Sequence, residues 1–134
     1  MHPRNRWFIV CSLFYAVLGG GLGVYQAFFP GTLPGIPARA HAHIMLLGFV
    51  GMMIYGVALH TLPRFANRPL YSERLANLQL WTANAGLILL VVGWLGYWRG
   101  VLFAGGVLAW AAMAAFAYNI LRSVAARPAG GEGA

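Results

Sequence analysis

Residues 40–62 decide the fold class, and they read AHAHIMLLGFVGMMIYGVALHTL. The segment contains no Asp, Glu, Lys or Arg, and most of its side chains are apolar. An α-helix needs roughly 20 apolar residues to cross the hydrocarbon core of a bilayer. The segment therefore predicts a membrane-spanning helix.

Three further apolar stretches of similar length lie at about 7–29, 77–98 and 101–121. Their connections are short and bounded by Pro, Gly or Arg, which end helices or hold their ends at the lipid headgroups. We therefore expect an all-α integral membrane four-helix bundle over residues 1–121. Residues 122–134 are small, polar and Gly-rich, which predicts a disordered cytoplasmic tail.

The composition excludes several other classes of protein. Hydrophobic residues make up 60% of the chain and charged residues 8%, with a mean hydropathy of +0.70, whereas soluble domains carry about 25% charge. Disorder is excluded by the same apolar majority. Cys11 is the only cysteine, so no disulfide can form within the chain. The net charge of +7 is not gathered on a basic face, which argues against a nucleic-acid partner.

All nine basic residues are arginines, and their distribution predicts the topology. Seven fall on one side of a four-span arrangement, namely Arg4, Arg6, Arg64, Arg68, Arg74, Arg122 and Arg127. Only Arg39 and Arg99 fall on the other side. The positive-inside rule then places both termini in the cytoplasm of a multi-pass protein in a bacterial-type inner membrane. A cleaved signal peptide is the alternative for the first span, but its apolar run exceeds the usual 7–15 residues or so.

Two histidines open the second span, and their spacing limits what they can bind. His41 and His43 are two residues apart, which places them about 200° apart around an α-helix. They cannot grip one metal ion from the same helix, but each could serve a different site on either side of it. Imidazole is a common axial ligand of haem iron. The alternative is that both rings hydrogen-bond to water or headgroups at the membrane surface.

Other residues carry weaker expectations. His60 lies 17 residues after His43, about 25 Å along the axis, so we expect it at the interface, with copper or another metal as the lesser alternative. Arg39 and Arg99 are predicted either to pair with haem propionates or to anchor helix ends.

The polar residues of the third span are expected to form interhelical hydrogen bonds, and the methionines of the second span are expected to fill space. These residues are Asn77, Gln79, Thr82 and Asn84, and Met45, Met52 and Met53. Gly19 and Gly23 form a GxxxG pair that predicts close helix packing.

The second span resembles a metal-binding helix of haem-copper oxidase subunit I. The shared positions are Ala40-His41-Ala42-His43, Gly48, Gly56, His60 and Pro63. In that family the first histidine ligates a high-spin haem and the second a low-spin haem, on opposite faces. The opening is also similar to the H-A-H-x-M start of membrane haem proteins linked to the nitric oxide response. The family's copper-binding helix, its paired histidines and its cross-linked tyrosine have no counterpart here, so the resemblance implies haem rather than oxygen reduction.

Subunit I of that family has twelve helices with pseudo-threefold symmetry, which implies a cyclic homotrimer of this four-span chain. His41 of one protomer and His43 of the next would then clamp a b-type haem. The expected function is electron transfer or handling of nitric oxide or oxygen, with a quinol or a cytochrome as electron donor, and an oxidoreductase activity is left open. The alternative is a haem-free structural or assembly subunit of a respiratory oxidase complex.

Overall fold

The computed structural model describes residues 1–125, and they form an all-α bundle. Its four helices are α1 (Pro3–Phe28), α2 (Pro37–Phe65), α3 (Glu73–Gly96) and α4 (Arg99–Ala125). Each helix is long and apolar enough to cross a membrane. The predicted all-α bundle of four membrane-type helices is thereby confirmed. We call the end that holds the first turn of α1 the terminal end, and the end where α2 begins the histidine end.

Two of the helices, α1 and α3, begin before their apolar stretches, where polar residues cap them. The side chain of His2 accepts a hydrogen bond from the Arg4 backbone N–H, and the Ser72 hydroxyl accepts one from Leu75. Such caps satisfy N–H groups that have no partner inside the helix. Hydropathy alone therefore places the starts of these two helices a few residues too late.

The end of α4 corrects the prediction that the tail begins at residue 122. The helix runs to Ala125, because the Ser123 hydroxyl donates to Asn119 O (2.7 Å) and accepts from the Tyr71 N–H (2.8 Å). These bonds fix the last turn of α4 against the segment that precedes α3. The remaining tail, 126–134, lies outside the described residues.

α2 changes its helical geometry along its length. Pro37–His43 is α-helical, Ile44–Gly51 is a π-helix, and Met52–Phe65 is α-helical again. A π-helix is rare, occurs mostly as a short insertion within an α-helix, and is frequently found at functional sites. At its end, the buried Ser12 hydroxyl of α1 donates to Phe49 O over 2.8 Å. This bond gives one carbonyl of the altered helix a partner from outside it.

Glycines let the helices approach closely, as the small residues predict. A Cβ atom on Gly86 would lie 2.6 Å from the backbone nitrogen of Ala109, so α3 and α4 meet backbone to backbone. A Cβ on Gly19 would lie 2.8 Å from a side-chain carbon of Ile44, in the α1–α2 contact. Small residues serve this purpose in lipid, where no hydrophobic effect drives helices together.

The core lies where α2 packs between α1 and the α3–α4 hairpin. Phe8, Met52 and Leu87 are almost completely buried there. The Tyr55 ring contacts Phe8 edge-on and lies 4.8 Å from the Phe116 ring. Met52 thus fills core space, as expected for the methionines of this span.

An ion pair joins α1 to α3 at the terminal end. The Arg4 side chain is only 3% exposed and pairs with the Glu73 carboxylate, whose side chain is 53% exposed. Arg4 also donates to Glu73 O (3.2 Å) and twice to Asn5 Oδ1 (2.9 and 3.1 Å). The guanidinium is therefore supplied with acceptors, as a buried charge requires.

Candidate functional site

His41 lies in the contact between α2 and α1, with its ring orientation fixed. Its Nδ1 is 2.8 Å from Gly19 O. A carbonyl oxygen only accepts, so Nδ1 carries the proton, and in the neutral ring the lone pair is on Nε2. A Cβ at Gly23 would lie 2.8 Å from His41 Cε1, so the ring occupies space that the glycine provides.

His43 is held in the same tautomer by a different bond. Its Nδ1 lies 2.7 Å from Arg39 O, one turn earlier in the same helix. Nδ1 therefore donates, and Nε2 again carries the lone pair of the neutral ring. The ring centroid is 6.0 Å from that of Trp94 on α3.

The two imidazoles serve different sides of α2, which confirms the separation that their spacing predicts. His41 contacts α1, whereas His43 lies towards α3. One chain therefore does not bring both rings to a single metal ion. Within residues 1–125, no three or more His, Cys, Asp or Glu side chains are grouped closely enough to hold a metal ion.

The two predicted propionate partners also lie at the histidine end. The Arg39 guanidinium stacks over the Trp94 ring, with Cζ 4.6 Å from the centroid, and its side chain is exposed. Arg99 is the first residue of α4 and is also exposed. Both cations are accessible to an anionic group, and the pairing with propionates stays a prediction.

His60 lies far along α2 from the histidine pair, near the terminal end of the bundle. It is partly buried, in the helical turn before Pro63 and Arg64. The described chain groups no three-ligand set around any histidine. Both the interfacial position of His60 and the lesser alternative of copper ligation therefore stay predictions.

Trp94 makes several contacts at the histidine end that the sequence analysis does not predict. Besides its ring contacts with Arg39 and His43, its carbonyl accepts a hydrogen bond from the Ile36 N–H (2.9 Å). Gly35 has a φ of 77° and approaches the α3 backbone so closely that a Cβ there would lie 2.2 Å from Trp94 O. Only glycine adopts this conformation freely and leaves room for the contact. The loop before α2 is thereby attached to the end of α3.

The four polar residues of α3 differ in their side-chain hydrogen bonds. Asn84 accepts from the Tyr15 hydroxyl (2.8 Å) and Asn77 from Arg4 (3.4 Å), both across helices as predicted. Thr82 instead donates to its own helix, at Leu78 O. The fourth residue corrects the prediction: the Gln79 amide is fully buried and forms no hydrogen bond with any residue in 1–125.

Comparisons with family models, curated proteins and solved structures find no match to this chain. The similarity of α2 to an oxidase helix therefore depends on its motif residues alone.

Proposed function

We propose that this protein is a haem-binding integral membrane protein that transfers electrons or handles a diatomic gas such as nitric oxide or oxygen. His41 and His43 are the proposed iron ligands. The observation that supports this most directly is that each Nδ1 lies within hydrogen-bonding distance of a backbone carbonyl, so the proton is assigned to Nδ1 and the Nε2 lone pair can bind a metal. Histidines that ligate metals usually donate their other ring N–H in this way.

The haem is proposed to lie between the α2 helices of neighbouring copies, because the two rings of one chain lie on different sides of α2. A cyclic homotrimer would supply 3 × 4 = 12 helices and three equivalent interfaces. Arg39 and Arg99 lie at the same end and would pair with the propionates. A b-type haem supplies electron transfer when two imidazoles ligate it, and gas binding when one axial position is open.

The surface of α1 next to His41 is suited to a flat ligand. Ala16, Gly20, Gly23 and Ala27 fall on one stripe of the helix, at about 100° per residue. Gly23 contacts the His41 ring, and a Cβ built on Gly20 would meet no atom of the described residues within 4 Å beyond its own stretch of helix. Side chains this small let a planar macrocycle approach the helix backbone more closely than larger ones would.

The second candidate function is a haem-free structural or assembly subunit of a respiratory complex. It is favoured by one specific observation: the hydrogen bond from His41 to Gly19 O already gives the imidazole a structural role. In that case the ring would serve only to join α2 to α1.

Visible spectra of the oxidised and reduced protein, purified from haem-replete cells, distinguish the two. We expect a Soret band, and sharp visible bands once the protein is reduced. Haem extraction should give one haem for each pair of His41 and His43 ligands. His41→Asn and His43→Asn are the test variants. The shorter asparagine amide can still donate a hydrogen bond near the position of Nδ1, but it has no atom at the position of Nε2 that could ligate iron. His60→Asn, on the same helix, is the matched control and should keep the full spectrum.

A colourless wild-type protein, or a Soret band that survives both variants, would refute haem ligation by this pair. Carbon monoxide added to the reduced protein should shift the band only if one axial position is open. Native mass spectrometry tests the trimer, and purely monomeric particles would argue against it.

The proposed location is a bacterial-type inner membrane with both termini in the cytoplasm. It follows from the seven arginines at the terminal end and in the tail against two at the histidine end. Two topology reporters are fused to the C-terminus, one that is active only in the cytoplasm and one that is active only outside it. We expect activity from the first and none from the second.

A further inference from the structure

A cleft of ≈ 520 Å³ lies on the outer surface of the bundle between α1 and α3. Its walls are Trp7, Cys11, Leu80, Trp81 and Asn84, and we call it the Trp7–Trp81 cleft. Both indoles are largely exposed, at 59% and 74%. The cleft is separate from the histidine pair and has no part in the proposed haem site.

The position of the cleft makes it accessible from the hydrocarbon core. Trp7 is four residues from the start of α1, about 6 Å along the helix, and Asn84 is eleven residues from the start of α3, about 16 Å. The cleft thus extends from near the terminal end towards the middle of the span. A ligand that enters it must dissolve in the membrane.

Asn84 supplies the cleft with an oriented hydrogen-bond donor. Its Oδ1 accepts from the Tyr15 hydroxyl, and its Nδ2 donates to Leu80 O, each over 2.8 Å. These bonds fix which end of the amide is the donor. An asparagine amide has two N–H groups, and the bond to Leu80 uses one of them. Among the described residues, the second has only the Cys11 thiol as a neighbouring acceptor, and sulfur accepts so weakly that a carbonyl oxygen in the cleft can replace it.

Two indoles and one amide donor in an apolar cleft define a ligand class. Indole faces pack well against flat aromatic rings, and an N–H donor in lipid favours a carbonyl oxygen over a hydrocarbon chain. We propose that the Trp7–Trp81 cleft binds the ring of a membrane-soluble quinone, with one carbonyl oxygen accepting a hydrogen bond from Asn84 Nδ2. The proposal does not depend on haem binding.

Cys11 allows a direct test because it is the only cysteine of the chain and lies in the cleft wall. The rate at which a membrane-permeant maleimide modifies it is measured in detergent micelles at increasing concentrations of decylubiquinone. The ring of this quinone is fully substituted and does not add to thiols. A long-chain alkylbenzene is the control ligand, because it has the ring and the tail but no carbonyl. We expect the quinone to slow modification at least fivefold, and the alkylbenzene to have little effect.

Variants separate the hydrogen bond from the ring contact. Asn84→Leu should raise the half-protecting concentration about tenfold, as expected for one lost hydrogen bond in an apolar site. Trp81→Leu should raise it several-fold and is safe for folding, since that side chain is exposed. Trp110→Leu changes a similarly exposed indole on α4, outside the cleft wall, and should leave the protection unchanged.

Equal protection by the alkylbenzene would identify the cleft as a groove for acyl chains and overturn the proposal. Absence of protection in the wild-type protein, or unchanged protection in both Asn84→Leu and Trp81→Leu, would overturn it as well. Loss of protection in the Trp110→Leu control would also count against it, because the effect would then not be local to the cleft.

Discussion

Exchanging Gly23 for alanine tests how α1 positions the proposed ligand His41. The added Cβ would lie 2.8 Å from His41 Cε1 and 3.2 Å from Nδ1. Carbon atoms pack best at about 3.5–4.0 Å, so the ring must move by roughly 0.7–1.2 Å. That movement stretches the 2.8 Å hydrogen bond to Gly19 O.

The magnitude follows from three terms. Overpacking costs about 1–3 kcal/mol, and the weakened hydrogen bond about 1 kcal/mol. The higher helix propensity of alanine offsets about 1 kcal/mol of this. We therefore expect Gly23→Ala to lower the free energy of unfolding by about 1–3 kcal/mol.

Gly20→Ala is the matched control, since it makes the same change three residues away. Beyond its own stretch of helix, the added Cβ would have no atom of residues 1–125 within 4 Å. Only the propensity term applies, so the unfolding free energy should stay equal or rise by up to about 1 kcal/mol. Reversible unfolding by sodium dodecyl sulfate, followed by far-ultraviolet circular dichroism in mixed micelles, measures both variants. Equal effects of the two substitutions would refute the claim that Gly23 makes room for His41.

Two further predictions concern the packing of the bundle and are checked by the same unfolding assay. Gly86→Ala should destabilise the protein by about 2 kcal/mol or more, because its Cβ would meet the α4 backbone, which cannot rotate away. Gly106→Ala should not, because its Cβ would contact no other helix of the described chain within 4 Å. Arg4→Gln should cost about 2–3 kcal/mol because it leaves buried acceptors unpaired, less than a fully buried ion pair since Glu73 is half-exposed. Arg6→Gln, on an exposed position of the same helix, should change stability by less than about 0.5 kcal/mol.

The number of helices and the placement of the two histidines could be predicted from the sequence. Both depend on local rules: the length of an apolar run, and the angle per residue of an α-helix. The angular rule holds for His41 and His43 because Pro37–His43 is regular α-helix and the π-helix begins only at Ile44. A π-helical start would have rotated the two rings relative to each other.

The features that sequence reasoning missed depend on contacts between distant segments. The π-helix of α2 is accompanied by the hydroxyl of Ser12, 37 residues before the carbonyl that it bonds. Trp94 gains its role only because the loop before α2 returns to the end of α3. The side-chain amide of Gln79 is of the same type as those of Asn77 and Asn84, but it is fully buried and has no partner in residues 1–125. Periodicity carries no information about such partners.

The two histidines differ in what holds their rings, and this difference bears on any iron that they would share. His43 donates to a carbonyl of its own helix, so its orientation follows from the local backbone of α2. His41 donates to Gly19 on α1, so its orientation depends on how α1 and α2 pack. A change in the spacing of those two helices would therefore move one proposed ligand and leave the other in place. If neighbouring chains share a haem, a change in the packing of α1 against α2 within one chain would therefore change the coordination of the iron between the chains.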